Sequence, residues 1–566
     1  MNQYIGGYME NCDHLLAQAA DYIASGDWEA VVKISRKILS AEPDNIKATK
    51  YLCRALLVTG HGETAINHLD SIISKNSKDD EFLSLRGNIS NYLGNQDEAE
   101  KFYRAALSYN QNNTVALINL GNIFRSAGDY KQSIQYTRQA YALNPGNHDL
   151  LTSLYQDYIY LEKFDELEKL LVENLEKNRE SAFHNYMLGR FYRHIGRPYD
   201  SIRNLEHALE MDSQHLDTYI ELGKAYRDSH NIDKAMKVFT ACEEIAPGNI
   251  LVQWQKSLTY LSNNDFEKGW SGYSARFLRK QHIDMFPEIP LWHGDDISEK
   301  RIIVYQEQGI GDEIMFSSCI SDLVKKAGKV ILHPSNKLYK IFKCSFPEVE
   351  LCMDEPGCRE AKADIRCSIG DLPGYFRTNT EDFLNKAPYL NIRSNDTDRW
   401  QKRLAELGDS FKVGICWRGG TPESRRHLRS ISLEQLLPVL TTDNCHFINL
   451  QYFDVRAETN DLSDKHNVQL CSYPEVLESY YETAALVSSL DLIISVQGAL
   501  LHLSGAMGKP VWGLIPFSAE WRYGHSGRSM LWYPSAVLYR QQHPLNWEGV
   551  IQTVSIELAR LVAEST

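Results

Sequence analysis

The run Arg301-Ile-Ile-Val-Tyr-Gln-Glu-Gln-Gly-Ile-Gly-Asp312 joins a β-rich segment to a turn that ends in a carboxylate. Gly309 and Gly311 carry no Cβ, so the turn can wrap closely around a ligand. Glu307 and Gln308 precede it, and Glu307 is a second carboxylate on the same turn. Asp312 stands where the next helix begins. A carboxylate there can take a proton from a hydroxyl within hydrogen-bond reach, and Asp is equally a preferred capping residue. One oxygen can serve each role.

Three further segments carry chemistry. Gln497-Gly498-Ala499 follows an apolar strand-like run and opens a helix. Free backbone N–H groups at such a place suit a phosphate. His502 lies one turn in, placed either for ligand contact or for a structural hydrogen bond. The loop Trp417-Arg418-Gly-Gly-Thr-Pro-Glu-Ser-Arg425-Arg426-His427-Leu428-Arg429 is basic and glycine-bearing in an acidic chain. Guanidinium groups suit bidentate contact to phosphate or carboxylate. Trp417, Arg418 and Arg429 are its candidates for ligand contact, with the other arginines read as a solvated surface. Trp512, Trp521-Arg522-Tyr523 and Trp532-Tyr533-Pro534 offer a wall for a base or sugar, although aromatic runs are more often packing. Trp521 and Arg522 are the candidates there.

Other patterns fit poorly. Asp396-Thr397-Asp398 has the Asp-x-Asp form of a metal motif, but it precedes a helical segment and reads as a cap. No catalytic metal is implied. Cys344, Cys352, Cys358 and Cys367 cluster without the paired short spacing of zinc sites. The Gly-x-Gly at 309–311 is not followed by a third glycine, since position 314 is Ile314, so dinucleotide binding is not indicated.

Two kinds of element must position these residues. Gly87, Gly121, Gly189 and Gly223 lie on one 34-residue grid, with Tyr155 in the remaining slot; Pro43, Pro145 and Pro247 lie on another. That period is the tetratricopeptide repeat (TPR) signature, a helical pair that buries its apolar face only by stacking on neighbours. About seven units run from His14 to Asn249, with Ile250–Gly272 a partial closing unit, so residues 1–272 are expected to form an α-solenoid with an inner surface for a polypeptide. Residues 273–300, with Trp270, Tyr273 and Trp292 about them, read as an ordered connector. From Arg301 onward β-rich runs alternate with amphipathic ones, which predicts parallel sheets with crossover helices. Strands are expected at Arg301–Gln306, Lys329–His333 and Ile365–Ser368 in a first Rossmann-like lobe (301–397). Lys412–Cys416, His446–Gln451, Leu492–Ser495 and Val511–Leu514 belong to a second (398–566). Helices are expected at Glu313–Ala327 and Asp398–Leu407. Ligands of such sheets sit beyond the carboxyl ends of the strands.

The whole chain bounds the function. Its 566 residues exceed one core, and 43% hydrophobic with 24% charged residues is ordinary for a globular protein. A net charge of −14 argues against a nucleic-acid groove or an anionic membrane as main partner. The sequence holds no apolar run long enough to span a bilayer, and no basic-then-apolar start of a secretory signal. Eleven cysteines without a Cys-x-x-Cys pair predict reduced, mostly buried thiols and a cytoplasmic protein.

The second half resembles glycosyltransferase family 9, the lipopolysaccharide heptosyltransferase group, over roughly 301–547. The resemblance rests on Glu307-Gln-Gly-Ile-Gly-Asp312, Val413-Gly-Ile-Cys-Trp417, Asp491-Leu-Ile-Ile-Ser-Val-Gln-Gly-Ala-Leu-Leu-His502 and Gly508-Lys-Pro-Val511. With its repeats, the chain is similar to bacterial TPR-containing glycosyltransferases, some of which modify flagellin. The resemblance implies a GT-B fold of two Rossmann-like lobes. It implies Asp312 as the base of a metal-independent, inverting transfer, with Glu307, Gln308, Gly309 and Gly311 on the acceptor side. Trp417, Arg418, Arg429, Gln497, Gly498, Ala499, His502, Trp521 and Arg522 fall on the donor side. The family carries Asp-Thr or Asp-Ser where Gln497-Gly498 stands. That departure suits a donor with its own carboxylate, such as a CMP-nonulosonic acid, over a heptose-type NDP-sugar.

The expectation is a protein O-glycosyltransferase with a nucleotide-activated sugar as co-substrate, no other cofactor, and a flagellin-like acceptor bound by the repeats. Transfer to a saccharide or lipopolysaccharide, or a non-catalytic TPR scaffold, are the alternatives.

Overall fold

A computed structural model describes residues 2–75, 78–278, 285–384, 387–422 and 424–565. Part of the expected connector, 279–284, lies outside the described residues. The chain divides into two compact units, Met1–Lys169 and Leu170–Thr566. The division falls inside the helix Phe164–Lys177 and not at the end of the repeats, so the later repeats belong with the α/β half.

The helical half keeps the grid. First helices begin at Ile46, Asp80, Thr114, His148, Ala182, Leu216 and Ile250, and second helices at Trp28, Gly62, Gln96, Tyr130, Phe164, Pro198, Ile232 and Phe266. Each series advances by 34 residues. Asn or Asp caps recur at the starts: Asn113 accepts from the Ala116 N–H, Asp129 from Gln132 and Asn231 from Lys234. Close approach within a pair explains the grid glycines. A Cβ on Gly121 would fall 2.5 Å from Thr137 Oγ1, and one on Gly223 2.5 Å from Phe239 Cε1. The final unit is short: Ile250–Ser262 is followed by only Phe266–Ser271 and a 3₁₀ turn, Tyr273–Leu278.

That turn is fastened to the α/β half by a buried cation. Arg276 Nε donates to Glu307 Oε1 (2.7 Å), and its Nη2 pairs with Asp371 Oδ1 (2.8 Å). Trp270 Nε1 donates to the Arg377 carbonyl (2.8 Å), and Trp292 lies against Tyr375, with ring centroids 4.1 Å apart.

The first sheet contains β1 (Arg301–Tyr305), β2 (Lys329–His333), β3 (Glu350–Leu351) and β4 (Ile365–Ser368). They are parallel in the order β3-β2-β1-β4. The second contains β5 (Phe411–Cys416), β6 (Cys445–Asn449), β7 (Leu492–Val496), β8 (Val511–Ile515), β9 (Ser529–Met530) and β10 (Tyr533–Arg540). Its order is β6-β5-β7-β8-β10-β9, with only β9 antiparallel. β1, β7 and β8 are buried almost along their whole length, as parallel strands covered on both faces must be.

Three local expectations are corrected. The helix foreseen at Glu313–Ala327 is broken into Ile310–Phe316, a 3₁₀ turn Ser317–Cys319, and Ile320–Val324. Ser317 Oγ donates back to the Ile314 carbonyl (2.7 Å), and Arg377 Nη2 takes the Ser318 carbonyl (2.8 Å), so local side-chain bonds compete with the helical ladder. Tyr533–Pro534, read in the sequence only as part of an aromatic wall, opens the strand β10, with Trp532, Tyr533 and Pro534 also lining a separate cavity of about 560 Å³; Pro is tolerated near a strand's start. Asp396 and Asp398 lie within the helix Ser394–Ala405, whose N-cap is Arg393, and Asp396 Oδ2 accepts from the Tyr481 hydroxyl (2.9 Å).

Because Gly223 is fitted against Phe239, Gly223→Ala should lower stability by about 1–3 kcal/mol, outweighing the roughly 1 kcal/mol gain in helix propensity. Gly146→Ala, whose Cβ would meet only Asn144 Oδ1 at 3.9 Å, is the control. Denaturant midpoints of the two variants decide, and equal midpoints would refute the account of the grid.

Candidate active site

The carboxyl ends of β5 and β7, the turn after β1 and the segment after β8 converge on a cavity of about 360 Å³. Gly309, Gly311 and Asp312 line it from the first lobe. Arg418, Gly419, Gly420, Arg429, Gly498, Ala499, His502, Glu520 and Arg522 line it from the second, with Tyr452 and Tyr480 towards β5 and β6. The lobes meet closely here. A Cβ on Gly311 would lie 3.2 Å from His502 Cδ2 and 3.4 Å from Ala499 Cα, so the glycine lets the two helices touch.

Asp312 is the third residue of its helix, and Gly309 is the cap. Asp312 Oδ2 accepts the Gly309 N–H (3.4 Å), while Oδ1 is paired with Arg522. Both oxygens are therefore engaged, leaving the remaining lone pairs of an ionised carboxylate to meet a ligand. Burial raises the Asp312 pKa above the ordinary Asp value, against the opposing pull of Arg522. A raised carboxylate is the stronger proton acceptor.

Arg522 also pairs with Glu520, and Glu520 Oε1 accepts from Arg429 Nη1 (2.9 Å). Burial opposes the ionisation of Glu520, but Arg522 and Arg429 outweigh it and hold the pKa down at about 2. Arg429 Nη2 donates to the Ser424 carbonyl (2.8 Å). Gly420 makes room for this. Its φ is +88°, and a Cβ there would fall 2.5 Å from Arg429 Nη2. Arg418, on the outer edge, pairs with Glu458.

Several expected contacts are not made. Trp417 is fully buried in the core beneath β5, and its Nε1 donates to Glu458 Oε1 (3.0 Å); an apolar ring beside a buried strand end packs inward. Gln497 is buried and does not line the cavity. Glu307 and Gln308 do not line it either. Glu307 is taken by Arg276 and by Ser368 Oγ (2.7 Å), and Gln308, at φ +62°, meets the Tyr273 hydroxyl (3.2 Å). His502 lines the cavity with its ring, but Nδ1 is bonded to the Tyr533 hydroxyl (3.0 Å) and Nε2 to that of Tyr523 (3.1 Å). Burial lowers its pKa to about 3, so it is a neutral strut and not a donor to ligand. Trp521 packs edge-on against Trp270 (5.6 Å) and does not reach the cavity.

Trp521, Arg522 and Tyr523 line a second, smaller cavity of about 180 Å³, whose other wall includes the end of the repeats, Leu261, Ser262, Asn263, Asn264 and Phe266. Glu520 is the principal residue missed from sequence; a lone Glu in an aromatic stretch carries no spacing signal. The expected free thiols are corrected at one place: Cys352 and Cys358 form a disulfide, so neither offers a thiolate to a metal, although His333 Nδ1 lies 3.4 Å from Cys358 Sγ. Among the described residues no helix is long and apolar enough to cross a membrane.

Comparison with known proteins bears on the helical half. Tetratricopeptide repeat models match residues 22–89, 81–113, 115–147 and 216–249. The helical half is built of tetratricopeptide repeats. Over nearly its full length the chain is similar to protein FlbA of Caulobacter vibrioides, 24% identical over 571 residues, covering 95% of this chain and 94% of that protein. It is 27% identical over 151 residues to BBSome complex member BBS4 of Bos taurus, 26% of this chain and 29% of that one. Among solved structures it is similar to YrrB, a TPR protein with an unusual peptide-binding site, at 21% identity and a TM-score of 0.27, covering 32% of this chain and 95% of that one.

Beside Asp312, Glu313 is fully buried, and its Oε1 accepts the Ser335 N–H (2.9 Å). Burial lifts its pKa from 4.5 to about 7. Between those values the unfolded chain has lost the proton that the folded chain keeps, so stability falls as pH rises through this window, by about 3 kcal/mol in all. Glu313→Gln should therefore raise the apparent Tm at pH 8 and leave it nearly unchanged near pH 4. A Tm difference independent of pH would show that Glu313 is not protonated in the fold.

Proposed function

We propose that the chain is a protein O-glycosyltransferase of GT-B architecture, with a flagellin-like acceptor and a nucleotide-activated sugar donor. The observation that carries this is the placement of the Asp312 carboxylate in an interlobe cavity that also holds Glu520 and three arginines. Arg418, Arg429 and Arg522, with the N–H groups at Gly498–Ala499, suit the phosphate of a nucleotide sugar, or the carboxylate of a CMP-nonulosonic acid.

In this reading a Ser or Thr hydroxyl approaches Asp312, which takes its proton. The hydroxyl oxygen bonds to the anomeric carbon, and the bond from that carbon to the phosphate oxygen breaks. The nucleotide leaves with the negative charge, which the arginines stabilise. A single displacement inverts the anomeric centre. The second cavity, between the last repeat and Arg522, supports delivery of a polypeptide from the repeats. TPR arrays offer extended surfaces suited to such a chain.

The test is intact-mass analysis of flagellin co-expressed with the protein and its sugar-nucleotide pathway. The wild type should add sugar mass, and Asp312→Asn should reduce transfer at least about 100-fold while nucleotide binding persists. Flagellin of unchanged mass with wild-type protein would remove this acceptor. Undiminished turnover by the Asn variant would remove Asp312 as base.

A further inference from the structure

The two loops that furnish the second lobe's charged residues to the cavity are both fastened to the ends of repeat helices. The helices Ala182–His194 and Leu216–Asp228 end against the second lobe. Arg425 Nη1 donates to Asp228 Oδ2 (2.7 Å) and to the Arg193 carbonyl (3.3 Å). His427 Nε2 donates to the His194 carbonyl (3.0 Å). The Arg193 and His194 carbonyls lie in the last turn of their helix, where the helix dipole favours cationic donors. The other loop is held from the same place. Ser518 Oγ donates to the Asp228 carbonyl (3.0 Å), and His230 Nε2 donates to the Phe517 carbonyl (2.7 Å) while its ring stacks on Phe517 at 4.4 Å.

Arg425 is central to the first loop. It adopts a left-handed backbone, φ +56° and ψ +49°, which a long L side chain takes up only where its surroundings fix it. It is adjacent to Ser424, whose carbonyl holds Arg429. Asp228 is buried and also receives Arg193 Nη1 (3.4 Å).

We propose that Arg425, through its ion pair with Asp228 of the repeat array, is a positioning residue that sets Arg429 and Glu520 in the ligand cavity. The repeats are then part of the cavity's frame. Removing them would dismantle the site as well as the acceptor surface. The proposal rests on the cavity being the ligand site, and the experiment separates the two.

Full-length wild type, Arg425→Ala and Arg425→Lys are compared by hydrogen–deuterium exchange and by calorimetric titration with UDP, GDP and CMP. In Arg425→Ala, amides of 419–429 should exchange faster, with a smaller rise at 517–525, while β5, β7 and β8 keep wild-type protection. Whichever nucleotide binds the wild type should bind Arg425→Ala about 10-fold or more weakly, and Arg425→Lys should recover most of that loss. Unchanged exchange in both loops would overturn the positioning role, as would faster exchange with undiminished affinity. A loss of protection spread over the strands would also overturn it, by making Arg425 a general stabiliser. If none of the three nucleotides binds the wild type, the nucleotide-sugar reading fails, and the exchange data still decide whether Arg425 holds the loops.

Discussion

Two chains of ion pairs, mostly out of water and joined by one loop, run through the Leu170–Thr566 unit. One begins at Asp312 and passes through Arg522 and Glu520 to Arg429; the loop leads to Arg425, where the other begins and continues through Asp228 and Arg193 to Glu221. Each member is costly to bury alone and tolerable only beside its partners, so removing one strands the next. That constraint dictates geometry. The carboxylate of the first lobe, the arginines of the second and the helix ends of the repeats must hold one arrangement together.

The later repeats therefore help frame the cavity. A TPR unit exposes helix C-termini at regular intervals, and here two of them accept bonds from the loops that line the cavity. Arg276, buried between Glu307 and Asp371, fastens the end of the array to the first lobe in the same way. Carboxylates that sequence places at a ligand turn can thus serve as structural anchors, and Glu307 does so.

Much of this was legible in the chain. The 34-residue grid located the repeat helices because each unit must stack on the next and so repeats its contacts. The strands β1, β2, β4, β5 and β7 were legible because a sheet covered on both faces demands apolar runs. Asp312, Gly309, Gly311, Arg418, Arg429, Gly498, Ala499, His502 and Arg522 do converge on one cavity. The roles of several were not legible. Trp417 reads as a ligand contact in sequence, but its large ring beside a strand end is buried in the core, and Trp521 of the expected aromatic wall packs on Trp270 away from this cavity. His502 spends both nitrogens on tyrosines 21 and 31 residues away, and Glu520 acquires its place only when Arg429, 91 positions away, joins its near neighbour Arg522.

Sequence alone determined the elements, since periodicity and turn residues are local consequences of how helices and strands bury one face. It also determined which residue types stand at the strand ends. Tertiary structure decided which charges find each other. An ion pair depends on distance and desolvation, and neither is written in the spacing of Asp228 and Arg425, 197 positions apart. It also decided that the later repeats share a compact unit with the lobes, because the bonds from the loops to the helix ends form only once both have folded.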